Sequence, residues 1–207
     1  MKGLLVSGFT AIGTGTGAML TLHAATGLDP LHSVISEYAF QAAGWMLPLS
    51  LTLFASGSAL IAEALRRTGA DRWVVSLLLA WGASMFLIGA FPTDPPGLPL
   101  SLSGGIHRYA AFLAFLVMPL AGLLLARAGI RHARIVRILS TVALGALVLV
   151  VIPYVVRMFG IPLGNDDIPA GLIQRTVVVT ELGVLALAGV SMLAPSAQRS
   201  RVSPALA

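Results

Sequence analysis

The sequence contains no cysteine and few charged residues, and both shortages limit what the protein can be. Without cysteine the chain has no disulfide, no thiolate metal site and no cysteine nucleophile. Only 10% of its 207 residues are charged and 57% are hydrophobic, whereas a soluble domain has about 25% charged and about 45–50% apolar residues. So few polar residues cannot cover a water-soluble core, and the excess apolar surface is expected to face lipid.

Acidic residues are also scarce, since 8 of them stand against 13 lysines and arginines. A nucleic-acid-binding protein gathers its basic residues on one soluble face. Here they occur in short segments between apolar runs, as they do in loops on the cytoplasmic side of a membrane. The charge pattern therefore favours a membrane protein and argues against nucleic-acid binding.

Catalytic motifs are missing as well. No residue spacing matches a zinc protease, a P-loop or the nucleophile elbow of a serine hydrolase. The sequence thus gives no specific evidence for an enzyme, and it predicts no cofactor and no bound metal.

Six apolar stretches are long enough, at about 20 residues each, to cross a hydrocarbon core of about 30 Å as helices. They predict an all-α membrane protein, a bundle of six transmembrane helices arranged as three helical hairpins. The predicted spans are 4–25, 44–65, 73–91, 109–128, 135–159 and 171–193. We expect residues 1–194 to form one domain and residues 195–207 a short disordered cytoplasmic tail.

The first stretch has two interpretations. It could be a cleavable signal peptide, because a basic residue precedes it and small residues follow it. A retained helix is favoured, because the stretch is longer than a signal sequence usually is and because Gly13 and Gly17 offer a small-residue face for helix packing.

Basic residues predict the orientation. Ten of the 13 basic residues lie in the terminal segments and in the connections after the second and fourth spans, and these are Lys2, Arg66, Arg67, Arg72, Arg127, Arg131, Arg134, Arg137, Arg199 and Arg201. All of them fall at one end of the predicted bundle, while the loops at the other end carry Asp29, Glu37, Asp94, Asp166 and Asp167. The positive-inside rule then places both termini in the cytoplasm of a multi-pass protein in a bacterial inner (cytoplasmic) membrane.

The most polar segment lies directly after the first span, at residues 29–37. Asp29 is expected to cap a short amphipathic helix, and helical spacing puts His32, Ser33, Ser36 and Glu37 on one face of it. That helix could lie flat among lipid headgroups, or its polar face could point into the mouth of the bundle. Both alternatives stay open.

A second polar group combines Asp94 with His107 and Arg108, which follow a flexible Ser/Gly stretch. His107 could bind a metal or move protons, although a lone loop histidine is more often simply solvated. The planar guanidinium of Arg108 suits a lipid phosphate.

The third group centres on Glu181, about three turns into the last span. A carboxylate at that depth costs a few kcal/mol unless it is paired, protonated or facing a wet cavity. Arg157 is the expected partner, with His23 and Arg175 as alternatives. A structural pair and a functional acid would look the same in sequence.

Three of these segments also carry a family resemblance. They are Asp29-Pro-Leu-His-Ser-Val-Ile-Ser, then Phe91-Pro-Thr-Asp-Pro95 with His107 and the following Ala-x-x-Ala-Phe run, and Gly171-Leu-Ile-Gln-Arg175. Over nearly the whole chain the sequence resembles the bacterial membrane proteins of domain-of-unknown-function family 998. The resemblance implies a six-helix fold and a role for the polar residues, and it carries no activity. Members often have a histidine at position 103 and a glutamate at position 174, where this chain has Ser103 and Gln174, and these differences weaken a metal or acid–base interpretation.

The leading functional hypothesis is a polar pocket, open toward the outer leaflet, that binds or moves a lipid or an amphipathic small molecule. Its candidate residues are Asp29, His32, Ser36, Glu37, Asp94, His107, Arg108, Arg157, Arg175 and Glu181. One alternative is an intramembrane hydrolase, with or without a metal, that uses a histidine and a carboxylate of this set. Another is a membrane scaffold or assembly factor. Membrane lipids are the expected partners, and the sequence identifies no protein partner.

Overall fold

The computed structural model describes residues 1–95, 97–161 and 167–193, without the side chain of Arg157. Regular structure in this part of the chain is entirely helical. The α-helices are α1 (Lys2–Ala24), α2 (Met46–Arg67), α3 (Arg72–Ala90), α4 (Leu102–Arg127), α5 (Ala133–Met158) and α6 (Ala170–Val190), and a short 3₁₀ helix spans Ile35–Phe40. All six α-helices are long and apolar enough to cross a membrane, which confirms the predicted six-span bundle. The predicted tail, 195–207, lies outside the described residues.

Helices that follow one another in the chain pack side by side from α1 to α6. The last helix, α6, also packs against α4 and touches α1, α2 and the 3₁₀ helix. Because consecutive spans alternate in direction, the N-terminus and the turns at 68–71 and 128–132 share one end of the bundle. We call it the arginine-rich end and the opposite one the acidic end. Which end faces the cytoplasm stays a prediction.

The start of α4 differs from the sequence prediction. This helix begins at Leu102, and the stretch expected to be a flexible Ser/Gly loop forms its first turns. The Ser101 side chain causes the early start, because its hydroxyl accepts a hydrogen bond from the backbone N–H of Gly104 at 3.0 Å and so caps the helix. His107 consequently lies inside a helix rather than in a loop.

The contact between α1 and α2 depends on glycines other than those expected. A methyl group added at Gly57 would lie 3.0 Å from the carbonyl oxygen of Gly8, and one added at Gly15 would lie 2.9 Å from the ring of Phe54. Nothing lies within 4 Å of such a group at Gly13 or Gly17. Gly8 and Gly15 share a helix face because seven residues make about two turns, and the expected pair lies on another face.

Candidate functional site

The segment after α1 is a turn followed by a 3₁₀ helix, and it is not the single helix over residues 29–37 that the sequence suggested. Asp29 caps only the turn: its carboxylate accepts from the Leu31 N–H at 2.9 Å and pairs with Nδ1 of His32 at 2.5 Å. Hydrogen bonding to His32, and then to Leu31, lowers the pKa of Asp29. Ser36 and Glu37 follow on the 3₁₀ helix and are half-buried.

Arg175 ties this segment to the first turns of α6. Its guanidinium donates to the carbonyl of Ser33 at 2.8 Å and to the hydroxyl of Tyr38 at 2.9 Å, and it lies 5.3 Å from the centre of the Tyr38 ring. The same ring stacks on His23 of α1, with centroids 4.3 Å apart. Gln174 adds a further bond by accepting from the Ile35 N–H at 2.5 Å. We call Gln174 and Arg175 the loop clamp.

Gly171 allows the close approach on which the loop clamp depends. A methyl group there would lie 2.6 Å from the carbonyl oxygen of Pro30 and would also collide with that of Ser33. One turn of the loop therefore rests directly on α6, where the Leu172 N–H donates to the Leu31 carbonyl at 3.0 Å. These contacts fix the loop against the first turns of α6.

His107 is buried between α4 and the end of α3. Its Nδ1 donates to the carbonyls of Phe91 at 2.9 Å and Ile88 at 3.2 Å. In a continuing helix, the residue four positions later would donate its N–H to each of these carbonyls. Those residues are Pro92 for Ile88 and Pro95 for Phe91, and proline has no N–H. The imidazole supplies the missing donor. His107 therefore caps the C-terminal end of α3, and these bonds fix the orientation of its ring.

Asp94 lies beside the first turn of α4. Its Oδ2 accepts from the backbone N–H of Ser101 at 3.0 Å, and a methyl group at Gly104 would collide with that carboxylate. Hydrogen bonding to the Ser101 side chain, and then to its backbone, lowers the pKa of Asp94, and the nearby charge of Arg108 adds to the effect. Arg108 itself is exposed, 5.4 Å from the ring centre of Tyr154 on α5.

Glu181 is fully buried, and its hydrogen-bond partner among the described residues is a tryptophan. The indole Nε1 of Trp81 donates to Oε2 at 3.0 Å, whereas Oε1 has no hydrogen-bond partner among the described residues. At a rise of about 1.5 Å per residue, Glu181 lies about 16 Å along α6 from Ala170, which is deep in the bundle. Arg175 uses its terminal nitrogens in the loop clamp, and the side chain of Arg157 lies outside the described part.

The contacts of the described residues connect the candidate set in three groups. Asp29, His32, Ser36, Glu37 and Arg175 belong to the clamped loop, Asp94, His107 and Arg108 to the start of α4, and Glu181 to the interior. Nowhere in the described ranges do three histidine or acidic side chains come close enough to hold a metal ion. Sequence reasoning missed Trp81, although a tryptophan far from either end of a span is a usable signal, since its N–H needs a partner.

Two surface grooves run along α4, and both are lined almost entirely by apolar side chains. The larger, of about 630 Å³, follows α4 from its capping residue, and its lining comprises Leu87, Leu100, Ser101, Leu102, Gly105, Ile106, Tyr109, Ala110 and Leu113. The smaller, of about 370 Å³, lies between α4 and α5, with Phe112 and six aliphatic residues of α5 as its lining. Only the larger groove begins at the polar cap of α4, next to the Asp94 carboxylate.

Six apolar spans around a buried acid define a multi-pass helical membrane protein. The family model described as "Protein of unknown function (DUF998)" matches residues 9–191, so the chain belongs to the DUF998 family and the resemblance seen in the sequence is confirmed. No curated protein and no solved structure matches the chain.

Proposed function

We propose that this protein binds a zwitterionic lipid, with one acyl chain in the larger groove on α4 and the headgroup at Asp94 and Arg108. The observation that carries the proposal is the position of the groove, which starts at Ser101, the residue that also bonds Asp94. Its volume falls within the range of about 300–1,000 Å³ that small-molecule sites have. An apolar groove with a polar group at one end complements an amphipathic molecule.

The charges beside the groove support a particular headgroup. The lowered pKa of Asp94 keeps its carboxylate ionised near neutral pH. A carboxylate has about four acceptor positions, and the bonds from Ser101 leave capacity for an ammonium group. Arg108 is close enough to act on Asp94 electrostatically, and its guanidinium suits a phosphate. An ammonium and a phosphate together describe phosphatidylethanolamine.

The groove is tested by filling it. Gly105 lines the groove, and a methyl group added there meets no atom within 4 Å, so Gly105→Trp occupies the groove without a clash at its Cβ. Gly145 on α5 is exposed, and a methyl group added there likewise meets no atom within 4 Å, which makes Gly145→Trp the control. In native mass spectrometry with added phosphatidylethanolamine we expect the wild type and the control to retain the lipid and Gly105→Trp to lose it. Equal retention by all three proteins would overturn the groove assignment.

The headgroup is tested separately. Asp94→Asn keeps the size of the side chain and removes its charge, so it should lower the preference for phosphatidylethanolamine over phosphatidylglycerol while leaving the groove intact. If the preference is unchanged, the ammonium group does not bind at Asp94.

A second function, hydrolysis, is favoured by the tautomer of His107. Because Nδ1 donates to two carbonyls, Nε2 of the neutral imidazole is an acceptor, which is the state that a general base requires. His107→Asn can still donate to those carbonyls but cannot act as a base near neutral pH. We expect a hydrolase to lose turnover of a fluorogenic phospholipid in this variant while remaining folded. Absence of turnover in the wild type would leave lipid binding without catalysis as the function.

A further inference from the structure

The turn between α4 and α5 is strongly basic and has no acidic neighbour in the sequence. Residues 127–137 include four arginines and one histidine but no aspartate or glutamate. The arginines are Arg127, Arg131, Arg134 and Arg137, and all four are exposed. None of them forms a salt bridge within the described residues. We call these four arginines the basic turn.

The neighbouring turn at the same end of the bundle is built differently. Between α2 and α3, Glu63 accepts from Arg66 at 2.6 and 2.9 Å and from Arg67 at 2.7 Å. Asp71 then caps α3 by accepting from the Trp73 N–H at 2.8 Å. The general tendency of arginines to collect at one membrane face accounts for charge at both turns. It does not account for the absence of carboxylates at only one of them.

The basic turn also places its charge where the backbone disfavours it. Arg134 and Arg137 lie in the first turns of α5, which has no acidic residue in its first turn. The start of a helix carries a partial positive charge, so cations there are repelled and anions are bound. The turn contacts the end of α6, where the Ser191 hydroxyl shares its proton between the carbonyls of Leu187 at 2.7 Å and Arg131 at 3.0 Å. A bound anion would relieve this repulsion.

We propose that the basic turn binds a phospholipid with two phosphates, cardiolipin, at the arginine-rich end of the bundle. Arg134 and Arg137 are three residues apart on α5 and therefore share a face, while Arg127 and Arg131 lie at the end of α4 and in the turn. Two pairs of guanidinium groups complement two phosphates, each of which an arginine fork can contact. Basic clusters next to transmembrane helices are suited to such headgroups.

The test compares two double variants that remove the same charge. R134Q/R137Q alters the basic turn, and R66Q/R67Q alters the turn that Glu63 already neutralises. Cardiolipin is titrated onto each purified protein in native mass spectrometry, with phosphatidylglycerol at twice the molar concentration as the single-phosphate comparison. Since each arginine near an anionic lipid contributes about 1 kcal/mol, R134Q/R137Q should bind cardiolipin about thirtyfold more weakly, and R66Q/R67Q less than about twofold more weakly.

Two other outcomes would contradict the cardiolipin proposal. Equal losses in the two double variants would mean that general charge attraction holds the lipid, and the proposal would be wrong. The proposal would also be wrong if phosphatidylglycerol bound as tightly as cardiolipin at the same phosphate concentration, because one phosphate would then suffice. R134K/R137K keeps the charge but lacks the guanidinium fork, so its affinity for cardiolipin should fall between those of the wild type and R134Q/R137Q, which separates a partial loss at the site from a loss of the fold.

Discussion

The indole N–H of Trp81 on α3 donates a hydrogen bond of 3.0 Å to the carboxyl group of Glu181 on α6. Both side chains are buried almost completely, and α3 is not among the helices found packed along α6. The bond therefore reaches across the bundle between helices that do not pack side by side. Among the described residues, this is the one hydrogen bond made by the Glu181 carboxyl group.

The first prediction concerns this pair. Trp81→Phe should destabilise the wild type by about 1–2 kcal/mol, because the carboxyl group would lose its donor in an apolar interior. In a Glu181→Leu background the same substitution should cost about 1 kcal/mol less, since no acceptor remains to be left unpaired. Reversible unfolding in mixed micelles measures both values. Equal costs in the two backgrounds would mean that the bond contributes nothing to stability.

The second prediction concerns the end of α3. His107→Leu leaves the carbonyls of Ile88 and Phe91 without a donor and should cost about 1–3 kcal/mol. His107→Asn should cost less, because its amide nitrogen can occupy nearly the same place as Nδ1. Thermal unfolding in detergent ranks the two variants. A more stable leucine variant would show that these two hydrogen bonds are dispensable.

The third prediction concerns the contact beneath the loop clamp. Gly171→Ala should destabilise the protein by about 1–3 kcal/mol, because the two nearest atoms it meets are backbone carbonyl oxygens, which cannot move aside cheaply. Gly13→Ala is the matched control: its methyl group meets nothing, and alanine favours a helix over glycine by about 1 kcal/mol. Melting temperatures should therefore fall for the first variant and rise for the second. A fall in both would point to a general effect of the substitution.

The fourth prediction concerns pH. Because the pKa of Asp94 is lower in the folded protein than the value of about 3.9 expected when unfolded, the unfolded state binds a proton more readily. The stabilisation is therefore complete above about pH 4 and is lost as the pH falls through the lowered pKa. The wild type should be more stable than Asp94→Asn at pH 6, and the difference should shrink toward pH 3 in thermal denaturation. A difference that does not vary with pH would rule out this carboxylate as the source.

The roles of several candidate residues depend on tertiary contacts that the sequence does not show. His107 looked like a solvated loop histidine because glycine and serine precede it, and the Ser101 cap converts that stretch into helix. Arg175 was one alternative to Arg157 as the counter-ion of Glu181, and its guanidinium holds a loop more than a hundred residues earlier in the chain. Short-range patterns do not report such bonds, because the partners meet only after the helices pack.

The sequence by itself determined that this protein lies in a lipid bilayer, how many spans it has, and at which ends of the bundle its basic and acidic loops lie. Apolar runs of sufficient length must cross a bilayer as helices. Only the tertiary structure decided that Glu181 bonds Trp81, that Gly8 and Gly15 rather than Gly13 and Gly17 face α2, and that Arg175 holds the loop after α1. Apolar residues surround each span in lipid, so hydrophobicity does not tell which face of a helix meets its neighbour. Close packing and hydrogen bonding between helices settle that choice.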